Sequence, residues 1–228
     1  MLIICPLKLE MTHLLNGFSV LGLSAPLQKC DKGISFAHFP EQKLTVSVGG
    51  HGKAQFALQT HYLALTHGPF ENVLCVGSAG GLSLDVKVGD VVVAETTIEH
   101  DYNERFNSKA SLPQFQAHEV LVRRFLGGDS EVRRMSSFSV FRGAVASGDE
   151  DIANHERAAD LWQKTGALAV AWEGAGGARA SRFLGLNYLE LRVITDNARE
   201  NVASSFTENL PGCMANLARL ILESPPTR

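Results

Sequence analysis

Short runs rich in valine, isoleucine and leucine alternate along almost the whole chain with stretches whose apolar residues recur at helical spacing. Strands joined through helical crossovers build a mostly parallel sheet with helices packed on it, so this alternation predicts an α/β fold. The runs predict strands over 2–5, 34–39, 44–48, 73–76, 91–95, 138–146, 168–171 and 188–194. Between them, Phe56, Ala57, Tyr62, Leu63 and Ala64 are spaced as on one helix over 53–66, which Gly68-Pro69 stops. Further helices are predicted over 9–15, 117–125, 154–164, 175–183 and 207–223. No repeat or linker interrupts 1–223, so one domain is expected, followed by a frayed tail at 224–228. Residues 103–116 are polar and irregular, and a loop of that length in a compact domain is often functional.

A length of 228 residues suits a single α/β domain. With 45% hydrophobic and 20% charged residues, neither a fibrous nor a disordered chain is described. The formal net charge of −3, with no block of five like charges, leaves no electrostatic footprint for nucleic acid or for an anionic membrane. Small molecules or a second copy of the chain are the expected partners. Cys5, Cys30, Cys75 and Cys213 are far apart and form no metal-binding or disulfide spacing, so reduced thiols in the cytoplasm are expected. Lys8 and Glu10 interrupt the apolar N-terminus, and no later stretch reaches 18 uninterrupted apolar residues, so neither secretion nor membrane spanning is expected.

Glycine clusters after predicted strands are the first candidates for chemistry. Gly49-Gly50-His51-Gly52-Lys53 has the Gly-Lys pair of a phosphate loop, but Ser47 and Ala54 stand where that motif needs Gly and Ser or Thr. The cluster from Gly174 to Arg179 opens a helix as a dinucleotide fingerprint does, yet Arg179 takes the place of its third glycine. Tight strand-to-helix turns and close packing account for both clusters. In Gly77-Ser78-Ala79-Gly80-Gly81, small residues at the end of a strand let a ligand approach the backbone.

Carboxylates at strand ends are the second set. Glu10 lies just after the first predicted strand, Asp149 follows Ser147-Gly148, Glu173 follows Ala171-Trp172, and Asp196 follows Ile194-Thr195. The carboxyl ends of parallel strands line the ligand crevice of open α/β sheets, so these acids are candidates for one site. Capping a following helix is the competing role of each.

Taken in order, Glu10 in Leu7-Lys8-Leu9-Glu10, Gly50-His51-Gly52-Lys53, Gly77-Ser78-Ala79-Gly80-Gly81-Leu82, Val88-Gly89-Asp90-Val91-Val92, Ser147-Gly148-Asp149, Trp172-Glu173-Gly174 and Thr195-Asp196-Asn197-Ala198 resemble the nucleoside phosphorylase/nucleosidase superfamily. Within it the chain is most similar to the methylthioadenosine/S-adenosylhomocysteine nucleosidases and the futalosine hydrolases. The resemblance spans nearly the whole sequence. It implies a single-domain, three-layer α/β/α fold with a central mixed sheet. It also implies a homodimer that cleaves the N-glycosidic bond of a purine nucleoside. Asp196 would protonate the base at N7, Glu173 would bind the ribose 2′ and 3′ hydroxyls, and Glu10 would activate water. Ser78, Gly80, Trp172, Asp151, Ile152 and Phe206 would line the substrate pocket. An oxocarbenium-like ribosyl centre needs an acid behind the leaving base and a carboxylate beside the attacking water, which these assignments provide.

Phosphorolysis would need a site for a dianion. The arginine that phosphorylases carry two residues before the glycine of this loop is replaced by Cys75, and their N-terminal Gly-Asp-Pro-x-Arg pattern by Cys5-Pro6-Leu7-Lys8-Leu9-Glu10. Water is therefore the expected nucleophile, with Lys8, His51 and Arg142 as the residues on which a different phosphate site would depend. Trp172 replaces the usual methionine, and Glu150-Asp151-Ile152 stands where the relatives carry an aromatic or large apolar base wall. Asn197 is a polar neighbour of the proton donor and a candidate base contact. His100-Asp101 matches a nucleosidase pair preceding a loop that reaches the partner subunit. This places Asn103 to Phe106 near the dimer interface, with Phe106 beside the neighbouring 5′ pocket. No metal ligand set is apparent, so no cofactor is expected. A phosphorylase and a catalytically degenerate nucleoside-binding protein remain as alternatives.

Overall fold

Residues 1–104, 106 and 111–224 are described by a computed structural model. Strand β1 (Leu2–Cys5) shows why the sheet is central. Its four side chains are buried on both faces: Ile3 and Cys5 join a core with α1 (Lys8–Val20) and α6 (Val202–Glu223), and Leu2 and Ile4 join one with α2 (Lys53–His67). Period-2 alternation between two apolar layers makes a strand read as a continuous hydrophobic run. In the first layer, Leu14 and Phe18 of α1 meet Met214, Leu217 and Ile221 of α6, with Phe125 of α3 (Glu119–Leu126) beside them. The second layer pairs α2 with α5 (Gly174–Leu184) through Phe56, Leu63 and Ala178.

The sheet contains β2 (Leu27–Lys29), β3 (Ser35–Phe39), β4 (Leu44–Val48), β5 (Asn72–Gly81), β6 (Val91–Glu99), β7 (Gln114–Gln116), β8 (Val132–Arg134), β9 (Ser139–Ser147), β10 (Ala169–Ala171) and β11 (Asn187–Asp196), with α4 (His155–Thr165) between β9 and β10. Its order is β10-β9-β6-β11-β5-β1-β4-β3-β2, with β7 on β6 and β8 on β9. The sheet is mixed. β4, β1, β5 and β11 run parallel, as do β6, β9 and β10, while β11 pairs with β6 and β5 with β10 in antiparallel fashion.

That last pairing positions the site. It sets Ala169 opposite Gly81 and Val170 opposite Gly80, so β10 runs back along the carboxyl end of β5. A bulge between Ile194 and Asp196 then brings Asp196 opposite the same glycine.

Several elements differ from expectation. β5, β6 and β11 are longer because their polar or glycine-rich ends are held by pairing rather than by apolar character. Helix α1 continues to Val20, and α6 begins at Val202, running through Pro211. Part of the segment expected to be irregular is strand β7, paired with β6. Ser224, placed in the frayed tail, is buried, with its hydroxyl bonded to Arg133 Nη1 at 3.1 Å. Residues 225–228 lie outside the described residues, as do 105 and 107–110 of the long loop.

Candidate active site

A cavity of about 380 Å³ opens where β1, β5, β9, β10 and β11 end. Glu10, Ser78, Gly80, Asp151, Ile152, Trp172, Glu173, Asp196 and Phe206 all line it.

Glu10 stands in the first turn of α1 and is 1% exposed. Its Oε2 accepts from the Leu7 backbone N–H at 2.8 Å, as a first-turn acid does. Its Oε1 accepts from the Ser78 N–H and hydroxyl, both at 2.7 Å, fixing the carboxylate to the glycine-rich end of β5. A Cβ on Gly77 would lie 2.7 Å from Glu10 Oε1 and 2.9 Å from Arg192 Nη1. The glycine is thus a requirement of space.

Glu173 occupies the N-cap position of α5 without capping it. Its side chain turns into the cavity instead. Oε1 accepts from the Gly52 N–H at 3.2 Å and lies 3.3 Å from His51 Nδ1, while Oε2 lies 3.3 Å from Arg192 Nη2. Burial raises its pKa, with the Arg192 charge opposing. His51 stacks on Trp172 with ring centroids 4.1 Å apart, so two aromatic rings flank this carboxylate.

Arg192 is the residue that sequence reasoning missed. It is buried at the centre of β11, donates from Nε to Glu190 Oε1 at 2.7 Å, and reaches Glu173, the Ser78 carbonyl and Cys75 Sγ. Thr97 Oγ1 donates to Glu190 Oε2 at 2.6 Å, closing the network. The signal was available: Glu190 and Arg192 are two apart in an apolar run, hence on one face of the strand.

Asp196 is 5% exposed. The Ala198 N–H donates to Oδ1 at 2.8 Å and the Thr195 hydroxyl to Oδ2 at 3.0 Å. Burial nevertheless holds its pKa above the ordinary aspartate value, against those two bonds. A Cβ on Gly80 would come 3.0 Å from Asp196 Oδ1 and 2.9 Å from Ala198 Cβ.

The remaining candidates separate. Asp149 is not in the cavity lining; its Oδ1 accepts from the Lys53 N–H at 2.9 Å and so caps α2 from a distant loop. Lys53 itself pairs with Glu99 and Asp101. Gly176 packs against the backbone of Lys53, which bears out the packing role of its cluster. Of the three residues on which a phosphate site would depend, only His51 lines the cavity: Lys8 is exposed on α1, and Arg142 pairs with Glu95 and Glu119 beside a separate depression at the amino end of β9. Asn197 does not face the cavity; its Oδ1 accepts from the N–H groups of Arg199 and Glu200. His155 pairs with Glu200 at the surface.

The model of the phosphorylase superfamily matches residues 2–224. A 5′-methylthioadenosine/S-adenosylhomocysteine nucleosidase of an Exiguobacterium species is 28% identical over 206 residues, 86% of this chain and 87% of that protein. The aminodeoxyfutalosine nucleosidase of Helicobacter pylori is 29% identical over 205 residues, 88% of this chain and 87% of its own length. Among solved structures, the Helicobacter pylori 5′-methylthioadenosine/S-adenosylhomocysteine nucleosidase with butyl-thio-DADMe-Immucillin-A superposes with a TM-score of 0.83 at 25% identity, over 97% of this chain and 95% of that one.

Proposed function

The chain belongs to the phosphorylase superfamily, and we propose from that premise that it hydrolyses the N-glycosidic bond of a purine nucleoside modified at C5′, releasing the free base and a ribose derivative. The observation that carries this reading is the convergence of Glu10, Glu173 and Asp196 on one cavity whose buried guanidinium is already committed to carboxylates.

Asp196 is the general acid. Burial raises its pKa and so favours the protonated carboxyl, and transfer of its proton to N7 lets the base leave as a neutral molecule when the C1′–N9 bond breaks. Glu173 accepts hydrogen bonds from the ribose 2′ and 3′ hydroxyls, with Arg192 and the Gly52 N–H holding it in place. Positive charge grows at C1′ as the bond lengthens, and the neighbouring carboxylates of Glu10 and Glu173 stabilise it. Glu10, oriented by Ser78, takes a proton from water as the water oxygen bonds to C1′. Ser78 and Gly80 floor the pocket; Trp172 with His51 and Phe206 wall the sugar and its 5′ substituent; Asp151 and Ile152 face the base.

Water rather than phosphate is the nucleophile because a dianion near C1′ would meet Glu10 and Glu173 with Arg192 already engaged by Glu190, Glu173 and the Ser78 carbonyl. Every step is carried by side chains, and among the described residues no group of three His, Cys, Asp or Glu is disposed to hold a metal. Turnover is expected to be unchanged by EDTA.

The active form is a homodimer. Leu58 and Leu65 on α2 and Phe183 on α5 present exposed apolar side chains on one helical layer, and Phe106, fully exposed, is offered to the 5′ pocket of the second copy. Among the described residues no helix is long and apolar enough to cross a membrane. The four cysteines are free, as suits a reducing cytoplasm.

The test is chromatographic detection of free base from methylthioadenosine, S-adenosylhomocysteine, futalosine, adenosine, inosine and guanosine, each with and without phosphate. Release that ignores phosphate is expected. Formation of a ribose 1-phosphate would move the protein to the phosphorylases, and ligand binding without release would make it a nucleoside-binding protein.

A further inference from the structure

Five carboxylates line the cavity, and four of them are engaged. Glu10 is held by Leu7 and Ser78, Glu173 by Gly52 and Arg192, Asp196 by Thr195 and Ala198, and Glu150 by Arg157, which donates from Nε at 2.8 Å and from Nη2 at 2.6 Å. Asp151 differs: among the described residues it enters no hydrogen bond and no ion pair. The cation nearest in sequence, Arg157, is shared between Glu150 and Asp160. Among the described residues the acceptor capacity of Asp151 is therefore left for a ligand.

Its position in the cavity says which part of a ligand. Glu10, Ser78, Arg192, Glu173 and His51 form one continuous polar cluster, each within 3.3 Å of the next. That cluster is the sugar end in the reading above, on which this inference rests. The other end is made by Asp196 and by the loop carrying Asp151. The two belong together, because Ile152 packs in one apolar cluster with Ala198, whose N–H holds the Asp196 carboxyl. A purine held at N7 by Asp196 would turn its six-membered ring toward this loop, which contributes Glu150, Asp151 and Ile152 to the cavity.

We propose that Asp151 is a specificity-determining residue that selects a 6-oxopurine base, guanine ahead of hypoxanthine, over adenine. A carboxylate offers acceptors and no donor. The hydrogen-bonding edge of a 6-oxopurine presents N1–H as a donor, and guanine adds its 2-amino group, so two parallel bonds match the two carboxylate oxygens. Adenine presents its 6-amino group beside the N1 lone pair, which faces the second oxygen and repels it. A base edge that leaves a polar partner unpaired is discriminated against strongly, and the discrimination lies in the side chain that was left unpaired.

Equilibrium dialysis of the purified protein with labelled guanine, hypoxanthine and adenine tests this without any requirement for turnover. Guanine and hypoxanthine are expected to bind tenfold or more tightly than adenine. In Asp151→Asn, whose amide supplies a donor for N1 beside an acceptor for the 6-amino group, the ratio is expected to fall to about one or to invert. Asp151 is exposed and holds no partner among the described residues, so the variant keeps the fold, which circular dichroism checks. Equal or tighter binding of adenine by the unaltered protein, a ratio untouched by Asp151→Asn, or no binding of any base overturns the inference. The nucleoside panel separates it from the reading it rests on: base preference without release from any nucleoside removes the hydrolase and keeps this selection, whereas release from adenine nucleosides without preference does the reverse.

Discussion

Asp196 and Arg192 weigh on stability in opposite directions at this site. Asp196 is buried with two hydrogen bonds, and burial still lifts its pKa. In Asp196→Asn the shape is kept and the proton is lost, so turnover is expected to drop by about 10²–10⁴-fold, the range of general acid catalysis. The stability effect has the opposite sign at neutral pH. A carboxyl whose folded pKa lies above its unfolded value contributes stability that is complete below the unfolded pKa and lost as pH rises through the folded one. Thermal melts should therefore show Asp196→Asn as at least as stable as the unaltered protein at pH 7, with that advantage vanishing on the acid side; a variant markedly less stable at pH 7 would contradict the assignment. Arg192 carries the reverse balance. Its removal leaves Glu190 and Glu173 without their cation in the interior. Arg192→Leu is expected to lose about 3–5 kcal/mol in urea unfolding at pH 7, as buried pairs do when one partner is deleted, and a loss within error of zero would show that the carboxylates are satisfied otherwise.

At the scale of the element, the bulge in β11 and the glycine-rich end of β5 act together. The bulge aims Asp196 at Gly80, and Gly80 leaves room for it. In Gly80→Ala, a methyl 2.9 Å from Ala198 Cβ and 3.0 Å from Asp196 Oδ1 must displace one of them. Overpacking of this kind costs about 1–3 kcal/mol, and a misplaced acid lowers turnover about tenfold to a hundredfold. Steady-state kinetics with a denaturant melt should show both losses; unchanged kcat would mean that the acid's placement does not depend on this contact. The same elements mark where the sequence stops being legible. β1 and β4 run over the residues expected of them because burial makes them continuous apolar runs bounded by turns. The Gly77 to Gly81 end of β5 reads as a loop because glycine and serine carry no strand preference, yet pairing with β10 and β11 holds it extended. β2, β7 and β8 are three-residue pieces with polar sequences such as Gln114-Phe115-Gln116, too short to show a period. Glu10, Glu173 and Asp196 were legible because strand ends advertise them. Arg192 showed only its two-residue spacing from Glu190, because what a guanidinium does inside an apolar strand is set by partners that come from β5, α5 and its own strand.

At the scale of the whole molecule, α1, α3 and α6 bury Leu14, Phe18, Phe125 and Leu217 against one side of the sheet, while α2 and α5 cover the other and expose Leu58, Leu65 and Phe183 at 73%, 65% and 81%. His61 lies 5.8 Å from the Phe183 ring, which joins the two helices into one outward face. Apolar surface removed from water stabilises by about 25 cal/mol per Å², and a stable dimer needs about 1,200–2,000 Å² in all. Three large apolar side chains on each copy, met by their symmetry mates, supply the centre of such an interface, and a two-fold arrangement lets one patch serve both sides. A protein carrying both Leu58→Glu and Phe183→Glu has two charges on each side of that centre, and desolvating them opposes association. Since both side chains are solvent-exposed in the single chain, the fold survives the change. Sedimentation at micromolar concentration is therefore expected to give a dimer for the unaltered protein and a folded monomer for the double variant. With Phe106 withdrawn from the neighbouring pocket, the monomer should raise KM for a nucleoside with a bulky apolar 5′ group and leave KM for adenosine or inosine nearly unchanged. An unaltered protein that sediments as a monomer, or a double variant that still dimerises, would place the contact elsewhere and free the α2–α5 layer of this role.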